Sequence, residues 1–131
     1  MRFDPLTKEQ AARYLAHMPG NPKWDTTDGL AGIGEIIGGG SPFLVVDDFG
    51  YDLAVVVLGV DDYDNGRELV VRVAHQLANR GDLTETVLPE IVRRFGGGCG
   101  SVSMRTRRAG LVAKLQRVGF YEAATIMRKK I

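Results

Sequence analysis

Three arginines are clustered in the four residues Arg105-Thr106-Arg107-Arg108. This cluster lies between a predicted strand and the start of a predicted helix. Cations at the N-terminal end of a helix oppose the helix dipole unless an anion is bound there. Two interpretations therefore stay open for this cluster, an anion-binding site and an ordinary solvated helix start.

Glycine is the one unusual residue count, at 17, and the glycines are clustered. Gly32-Ile33-Gly34 followed by Gly38 resembles a dinucleotide-binding fingerprint, which requires a strand before the glycines and a helix that opens at them. Here the next predicted strand follows the glycines, so close packing or a loose helix is the favoured interpretation. Gly96-Gly97-Gly98 is not a phosphate-binding Walker loop, because Cys99 and Gly100 stand where lysine and a hydroxyl residue are required.

The residue types that bind metals do not form a recognisable metal-binding pattern. His17 and His75 are far apart in the chain and lack carboxylates at ligand spacing. Cys99 is the only cysteine, which excludes an intramolecular disulfide and argues against a cysteine-based zinc site. Asp61-Asp62-Tyr63-Asp64 begins like a calcium loop but lacks the glutamate that such a loop carries at its twelfth position, where Arg72 stands. We predict no metal site.

The bulk composition limits the classes of protein to consider. A chain of 131 residues with 44% hydrophobic and 25% charged residues is expected to form a single domain, residues 1–131. A net charge of +1 predicts no general affinity for nucleic acid or for a membrane surface. The N-terminal sequence lacks the apolar stretch of a signal peptide, and the single cysteine suits a reducing compartment. We expect a cytoplasmic protein.

Hydrophobic periodicity, caps and turn residues predict the order of elements. Thr7 and Gln10 have capping-box spacing, Asp64-Asn65-Gly66 is a strong hairpin turn, and Pro89 must lie in the first turn of its helix. The predicted elements are a short strand at Arg2-Phe3, helices over 7–18 and 25–37, strands over 43–47, 52–60 and 67–77, a helix from Thr84 or Thr86 to Phe95, a strand over 100–104, a helix over 107–118 and a strand over 121–127.

The segment from Arg67 to Leu77 is the ambiguous one, because its apolar residues also match one face of a helix. We favour a strand, since the segment follows the hairpin turn and contains three valines. The alternation of helices and strands in the second half then predicts an α/β (α+β) fold.

The end of the chain resembles the closing motif of the Gcn5-related N-acetyltransferases. In that family a strand leads to an amphipathic helix, then to Gly-Phe, here Gly119-Phe120, and then to a last strand. The motif covers the last quarter of the chain, and the order of elements extends the resemblance to most of it. The family fold implies a mixed, mainly antiparallel central sheet with helices on both faces. The resemblance is to short, divergent members of the family, of the type found in phage.

The resemblance implies a site for acetyl-coenzyme A in a splay beside the fourth strand. Pantetheine would follow the backbone of Val73, Ala74 and His75. The pyrophosphate would bind amides at the start of the next helix, where the dipole and free N–H groups favour an anion. The loop residues there and one residue before the last helix complete the candidate cofactor contacts: Asn79, Arg80, Gly81, Asp82 and Arg108. Glu68 falls near the position of a general base in some members.

Three positions depart from the family pattern. The family loop carries more glycine than this one, where only Gly81 matches and Asp82 adds negative charge near the phosphates. Leu115 replaces the tyrosine that many members use as the general acid, and leucine cannot transfer a proton. Arg108 replaces a common asparagine.

Two functions therefore stay open. The first is an acetyl-CoA-dependent N-acetyltransferase with an unidentified amine acceptor, mostly working through positioning and amide stabilisation of the thioester oxygen. The second is a catalytically degenerate binding or structural protein of the same fold, in a phage or virion setting. Both are compatible with a homodimer.

Overall fold

The computed structural model describes all 131 residues. None of its helices is long and apolar enough to cross a membrane. The elements in chain order are β1 (Arg2–Pro5), α1 (Lys8–Leu15), α2 (Ile33–Ile37), β2 (Ser41–Val46), β3 (Asp52–Tyr63), β4 (Gly66–Gln76), α3 (Leu83–Phe95), β5 (Ser101–Met104) and α4 (Ala109–Arg117).

The five strands form one sheet in the order β1-β2-β3-β4-β5. Neighbouring strands are antiparallel except for β4 and β5, which are parallel and are connected through α3. The predicted fold class, a mixed and mainly antiparallel sheet with helices on both faces, is confirmed. The segment after the hairpin turn is a strand, as predicted, and Asp64 and Asn65 form the two-residue turn between Tyr63 and Gly66.

Each face of the sheet has its own apolar core. The first face packs against α3 and α4, and its buried core includes Val56, Leu69, Val71, Ile91 and Leu115. The second face packs against α1 and α2. Its core consists of Ala11, Leu15, Met18, Ile37, Val55, Val57 and Val73. A sheet that is covered on both faces buries consecutive residues. This explains the uninterrupted buried run from Leu53 to Leu58 in β3.

The start of α1 agrees with the sequence. The Gln10 amide donates to Thr7 Oγ1 at 3.1 Å, and the Thr7 amide donates to Gln10 Oε1 at 2.8 Å. This reciprocal pair is the predicted capping box, and it satisfies two amides that have no partner within the helix.

The helix predicted over 25–37 is wrong for its first eight residues, since α2 spans only Ile33–Ile37. Asp25 is buried, and its carboxylate accepts from the amides of Gly20, Thr27 and Gly29 and from the Thr27 hydroxyl. These local bonds compete with helix formation. Asp28, at φ 55°, and Gly29, at φ 85°, then take left-handed conformations that interrupt any helix.

The position of Pro89 is also corrected. It lies inside α3, which begins at Leu83 with Asp82 as its N-cap. The prediction started this helix at Thr84 or Thr86, but the Asp82 carboxylate accepts a hydrogen bond from the Thr84 amide at 3.0 Å and caps a helix that starts earlier. The helix therefore accommodates a proline in its second turn.

The strand predicted over 121–127 is not formed, and residues 121–131 are exposed without regular secondary structure. An extended segment becomes a strand only when its backbone groups pair with a neighbouring edge. Ser101–Met104 of β5 and the segment 120–126 line the same open cleft, so they do not pair. We call residues 120–131 the C-terminal segment. Its position is fixed by Arg128, which donates to Asp28 Oδ2 at 2.7 Å and to the Thr26 carbonyl at 3.1 Å.

Candidate cofactor and substrate site

The central strands β4 and β5 separate partway along their length. Their pairing runs from Glu68 opposite Ser101 to Val71 opposite Met104 and then stops. On its other side β4 stays paired with β3 as far as Gln76. The last five residues of β4 therefore have one free backbone edge, which faces a cleft of about 1610 Å³ lined by β4, β5, α3, α4 and the C-terminal segment.

A β-bulge lies where the two strands separate. Val57 pairs with Val73 whereas the next residue, Leu58, pairs with Val71, so Arg72 is an extra residue in β4. A bulge of this kind shifts the alternation of the strand by one residue. As a result Val71 belongs to the core of the first face, and Val73 belongs to the core of the second face.

The bulge also determines which backbone groups of β4 face the cleft. The Leu77 amide donates to the Leu53 carbonyl of β3. In an antiparallel pair, successive residues turn their N–H and C=O groups alternately toward and away from the partner. It follows that Ala74 and Gln76 direct their backbone groups away from β3 and into the splay. Ala74 is exposed and lines the cleft.

The start of α3 supplies further free amides at the same end of the sheet. Gly81 has φ 80°, a left-handed conformation that reverses the chain just before the helix. The amides of Gly81, Asp82 and Leu83 donate to no group within the chain. Consecutive free amides at a helix start favour an anion. The Asp82 carboxylate lies beside them as the N-cap, and it adds a negative charge to this otherwise favourable position.

The other candidate residues of the loop point elsewhere or into solvent. The guanidinium of Arg80 lies 3.2 Å from Asp47 Oδ2 and 3.8 Å above the centre of the Tyr51 ring. Arg80 is thus held against the β2–β3 loop. Asn79 is exposed.

The basic cluster before α4 is divided between two roles. Arg107 donates to Asp28 Oδ1 at 2.6 Å and to the Asp25 carbonyl, so it fastens the long loop that precedes α2. Arg108 is the N-cap residue of α4 without a side-chain capping bond, and it is exposed. Since α4 follows β5, Arg108 lies at the end of the sheet where the splay opens. Of the candidate cofactor residues, Val73 and Ala74 line the cleft, and the remaining ones, His75, Asn79, Arg80, Gly81, Asp82 and Arg108, are not among the residues that line it.

Glu68 lies at the other end of β4. Its carboxylate accepts from the Ser101 hydroxyl at 2.8 Å and from the Ser103 hydroxyl at 2.7 Å. The Ser103 bond, and then the Ser101 bond, hold the pKa of Glu68 below its usual value. Six residues of strand, about 20 Å at the usual rise, separate Glu68 from Ala74. The structure therefore places this carboxylate in the paired part of the sheet.

The structure brings together two histidines that the sequence left apart. His17 follows α1 and His75 lies in β4, and their ring centres are 4.5 Å apart. Trp24 contacts both rings edge to face, with centre distances of 4.7 Å to His17 and 5.9 Å to His75. Burial lowers the pKa of His75, and positive charge at His17 and Lys23 lowers it further. The sequence did not predict this cluster, because the two histidines are 58 residues apart and belong to no motif.

Leu115 of α4 is buried in the core of the first face, with 6% of its surface exposed. Leu115, which corresponds by the resemblance to the family's general acid, therefore packs in the core and cannot transfer a proton. A leaving thiolate in this cleft would have to take its proton from water or from another side chain.

No protein-family model and no curated protein matches this chain significantly. Solved acetyltransferase structures do match it as folds. One is an acetyltransferase from Trypanosoma brucei, with a TM-score of 0.60 and 14% identity over 99% of each chain. Another is the aminoglycoside 6'-N-acetyltransferase AAC(6')-Ih from Acinetobacter baumannii, with a TM-score of 0.55 and 15% identity over 99% of this chain and 97% of that one.

A third match is AAC(6')-Iy, solved in complex with the bisubstrate analogue CoA-S-monomethyl-acetylneamine. It has a TM-score of 0.58 and 19% identity, over 99% of this chain and 97% of that one. At these identities the similarity establishes the fold. The chain thus has an acyl-CoA N-acyltransferase-like fold, as these acetyltransferases do.

Proposed function

We propose that this protein binds acetyl-coenzyme A in the splay between β4 and β5 and transfers the acetyl group to an amine. The observation that carries the proposal is the splay itself, which combines the free edge of β4 beyond Val71 with the bulge at Arg72. Backbone N–H and C=O groups inside a sheet are normally hydrogen-bonded, because an unpaired buried group costs free energy. The unpaired edge of β4 therefore suits a bound ligand that supplies the missing hydrogen bonds.

Pantetheine has amide groups that suit such an edge. An extended chain laid beside β4 would accept from and donate to the backbone of Ala74 and Gln76, in the manner of an added strand. A ligand that extends along β4 toward its C-terminal end would reach the free amides of Gly81, Asp82 and Leu83 at the start of α3. These amides would take the pyrophosphate.

The chemistry requires little more than positioning. A neutral amine attacks the thioester carbonyl carbon, the C–S bond breaks, the nitrogen gives up one proton to water as the amide forms, and the sulfur takes a proton to leave as coenzyme A thiol. Backbone amides at the bulge would stabilise the negative charge that develops on the thioester oxygen. With Leu115 in place of an acid, the proton for the sulfur comes from water.

Calorimetric titration with acetyl-coenzyme A tests the binding step. Ala74→Leu places a larger side chain at the cleft wall, so we expect it to weaken acetyl-coenzyme A binding at least about tenfold, which corresponds to about 1.4 kcal/mol. Ala113→Leu is the matched control, because Ala113 is exposed on α4 and does not line the cleft. Absence of binding by the unaltered protein at millimolar ligand contradicts the proposal.

A second candidate keeps the binding site without turnover. It is favoured by two observations, the Asp82 carboxylate among the phosphate-binding amides and the buried Leu115. Release of coenzyme A thiol, measured over a panel of primary amines, separates the two. Tight binding without thiol release on any amine supports the second candidate.

A further inference from the structure

The C-terminal segment is an extended strand without a partner. After Phe120 it contains no turn or bend, and none of its residues has a positive φ angle. No backbone N–H or C=O group of residues 121–131 forms a hydrogen bond within the chain. All of these residues are exposed, among them Tyr121 at 82% and Met127 at 87%. An unpaired strand of this kind presents a row of backbone donors and acceptors with which another strand can pair.

The sheet itself ends in an edge that is open to pairing in the same way. β5 is the last strand of the sheet and pairs only with β4. The Gly100 amide donates to the Arg67 carbonyl on the β4 side. Because the backbone groups of a strand alternate in direction, Ser101 and Ser103 direct theirs away from β4, toward the cleft that the C-terminal segment also lines. One molecule therefore carries two unpaired strand edges along the same cleft.

The C-terminal segment runs in the same direction as β5. Arg107, which follows β5, and Arg128, near the end of the segment, both bind Asp28. The segment begins after Gly119, at the other end of α4, which is about 14 Å long at the usual helical rise. It therefore returns along the helix toward Asp28. A strand placed between β5 and the segment can thus be antiparallel to both.

We propose that the protein forms a symmetric homodimer in which the C-terminal segment of each copy enters the cleft of the other copy. There it lies between β5 and the other copy's own segment, antiparallel to both. The two-fold axis relates the two segments, so one continuous sheet runs through both copies in the order β4-β5-segment-segment-β5-β4. Such an interface is isologous, because each copy gives one strand and receives one. This dimer does not require acetyl transfer.

The residues of the segment favour a second copy of this chain in antiparallel orientation. The one carboxylate side chain, Glu122, lies near the beginning of the segment, and its cations, residues 128–130, lie at the end. Antiparallel pairing of two segments brings opposite charges together, whereas parallel pairing places like charges side by side. The antiparallel orientation also brings Tyr121 close to the partner's Met127, on one face of the new sheet. These two exposed apolar side chains would then cover each other.

The interface leaves the proposed cofactor edge free. β5 pairs with β4 from Glu68 to Val71, and the free edge of β4 begins beyond Val71. A strand added beside Ser101–Met104 therefore lies next to the paired part of the sheet. In a monomer the segment is fastened through Arg128.

Sedimentation equilibrium of the full chain, from micromolar to millimolar concentration, measures dimer formation. Ala124→Pro is the test variant, because proline lacks the amide that a strand between two neighbours donates. The substitution occurs once in each copy, so we expect dimerisation to weaken at least about tenfold. Ala124→Ser keeps the amide and is the matched control, which should dimerise within about twofold of the unaltered protein. Because Ala124 forms no backbone hydrogen bond in the monomer, both monomeric variants should be equally stable in urea.

Amide hydrogen exchange gives a second readout that needs no variant. The exchange of the Ser101 and Ser103 amides should slow as the protein concentration rises, together with that of residues 121–127, because all of them gain hydrogen bonds in the dimer. A dimer whose Ser101 and Ser103 amides exchange at the monomer rate uses another surface and overturns the proposal. A protein that stays monomeric at millimolar concentration also overturns it, as does one that dimerises equally well after Ala124→Pro.

Discussion

The side chain of Arg72 fills the space that Gly40 leaves open. A methyl group on Gly40 would lie 2.9 Å from Arg72 Cδ, 2.6 Å from Val57 Cγ1 and 3.1 Å from the Leu58 carbonyl oxygen. A methyl group on Gly38 would likewise lie 2.5 Å from Arg72 Nη2. Arg72 is the bulge residue of β4, so the glycine run before β2 allows the loop after α2 to pack directly on the bulge.

The first prediction follows from this packing. We expect Gly40→Ala to lower the free energy of unfolding by about 1–3 kcal/mol, because three neighbours, one of them backbone, must move. Gly34→Ala is the control, since Gly34 lies in α2 with no atom within 4 Å of the added methyl group. It should be neutral or slightly stabilising. Urea unfolding measures the stability of both variants. Equal free energies of unfolding for Gly40→Ala and Gly34→Ala would contradict the close packing of Arg72 on Gly40.

The second prediction concerns the charge at the start of α3. Asparagine caps helices about as well as aspartate, so Asp82→Asn should keep the helix start while removing a negative charge from beside the free amides. Two unit charges 4 Å apart in water interact by about 1 kcal/mol. Acetyl-coenzyme A should therefore bind about fivefold more tightly, and the gain should shrink as salt is added.

Calorimetry over a range of ionic strength measures this gain. Asp64→Asn is the matched control, because it removes the same charge in the hairpin turn at the other end of β4. Equal effects of the two substitutions would indicate a general charge effect and would remove Asp82 from the site.

The third prediction concerns acid stability. The Thr27 hydroxyl bond, together with the amides of Gly20, Thr27 and Gly29, outweighs burial and lowers the pKa of Asp25 to about 2. A carboxylate whose folded-state pKa is depressed stabilises the fold above its unfolded pKa and loses that contribution as pH falls through the folded value. The contribution of Asp25 should thus be complete above about pH 4 and disappear toward pH 2.

Asp25→Asn should cost about 1–3 kcal/mol at pH 7, since one amide oxygen replaces two carboxylate oxygens that accept four bonds. The cost should become smaller as pH falls below 4, because the aspartate then loses its advantage. Urea unfolding at several pH values measures both. A cost that is independent of pH would contradict the assignment.

Local chemistry made part of this structure predictable. The capping box at Thr7 and Gln10 and the two-residue turn at Asp64 and Asn65 are encoded by residues next to one another, so both were predicted correctly. Gly119, at φ 96°, ends α4 as expected. The fold class followed from these boundaries and from the alternation of helices and strands.

Contacts between distant residues were not predictable in the same way. The bulge at Arg72 left no trace in the sequence, because Leu69, Val71 and Val73 are apolar on a strand that is covered on both faces. Without a polar face, nothing in the pattern shows where the alternation shifts. Asp25 was predicted to be part of a helix. The amides that donate to its carboxylate come close to it only when the loop folds around it, so the sequence pattern does not show them.

The prediction of a final strand over residues 121–127 was wrong for a related reason. Its alternating residues satisfy the local requirement for a strand, but pairing depends on a free edge within hydrogen-bonding distance. The four residues of β5 and the C-terminal segment remain on two sides of one cleft. The His17–His75 contact was missed because it joins a helix end to a strand 58 residues away.

The fourth prediction concerns how the C-terminal segment is held beside the cleft. Asp28 accepts from Arg107 through one carboxylate oxygen and from Arg128 through the other. The bonds from Arg128 and Arg107 hold the pKa of Asp28 below its usual value. Arg128 is the link to the C-terminal segment, whose residues 121–127 form no backbone hydrogen bond. Loss of this link should free the segment without disturbing the sheet.

We therefore expect Arg128→Ala to increase the fast motion of residues 121–128, seen as lower heteronuclear NOE values in ¹⁵N relaxation. Lys129→Ala, one residue further on, is the control and should leave these values unchanged. Melting temperatures should hardly differ, because both side chains of the pair are in part exposed to solvent and such pairs add little to global stability. Asp28→Asn should reproduce the effect, and so should acid, since protonation of Asp28 breaks the same bond. A segment that stays ordered in all three cases would show that contacts other than Arg128 hold it in place.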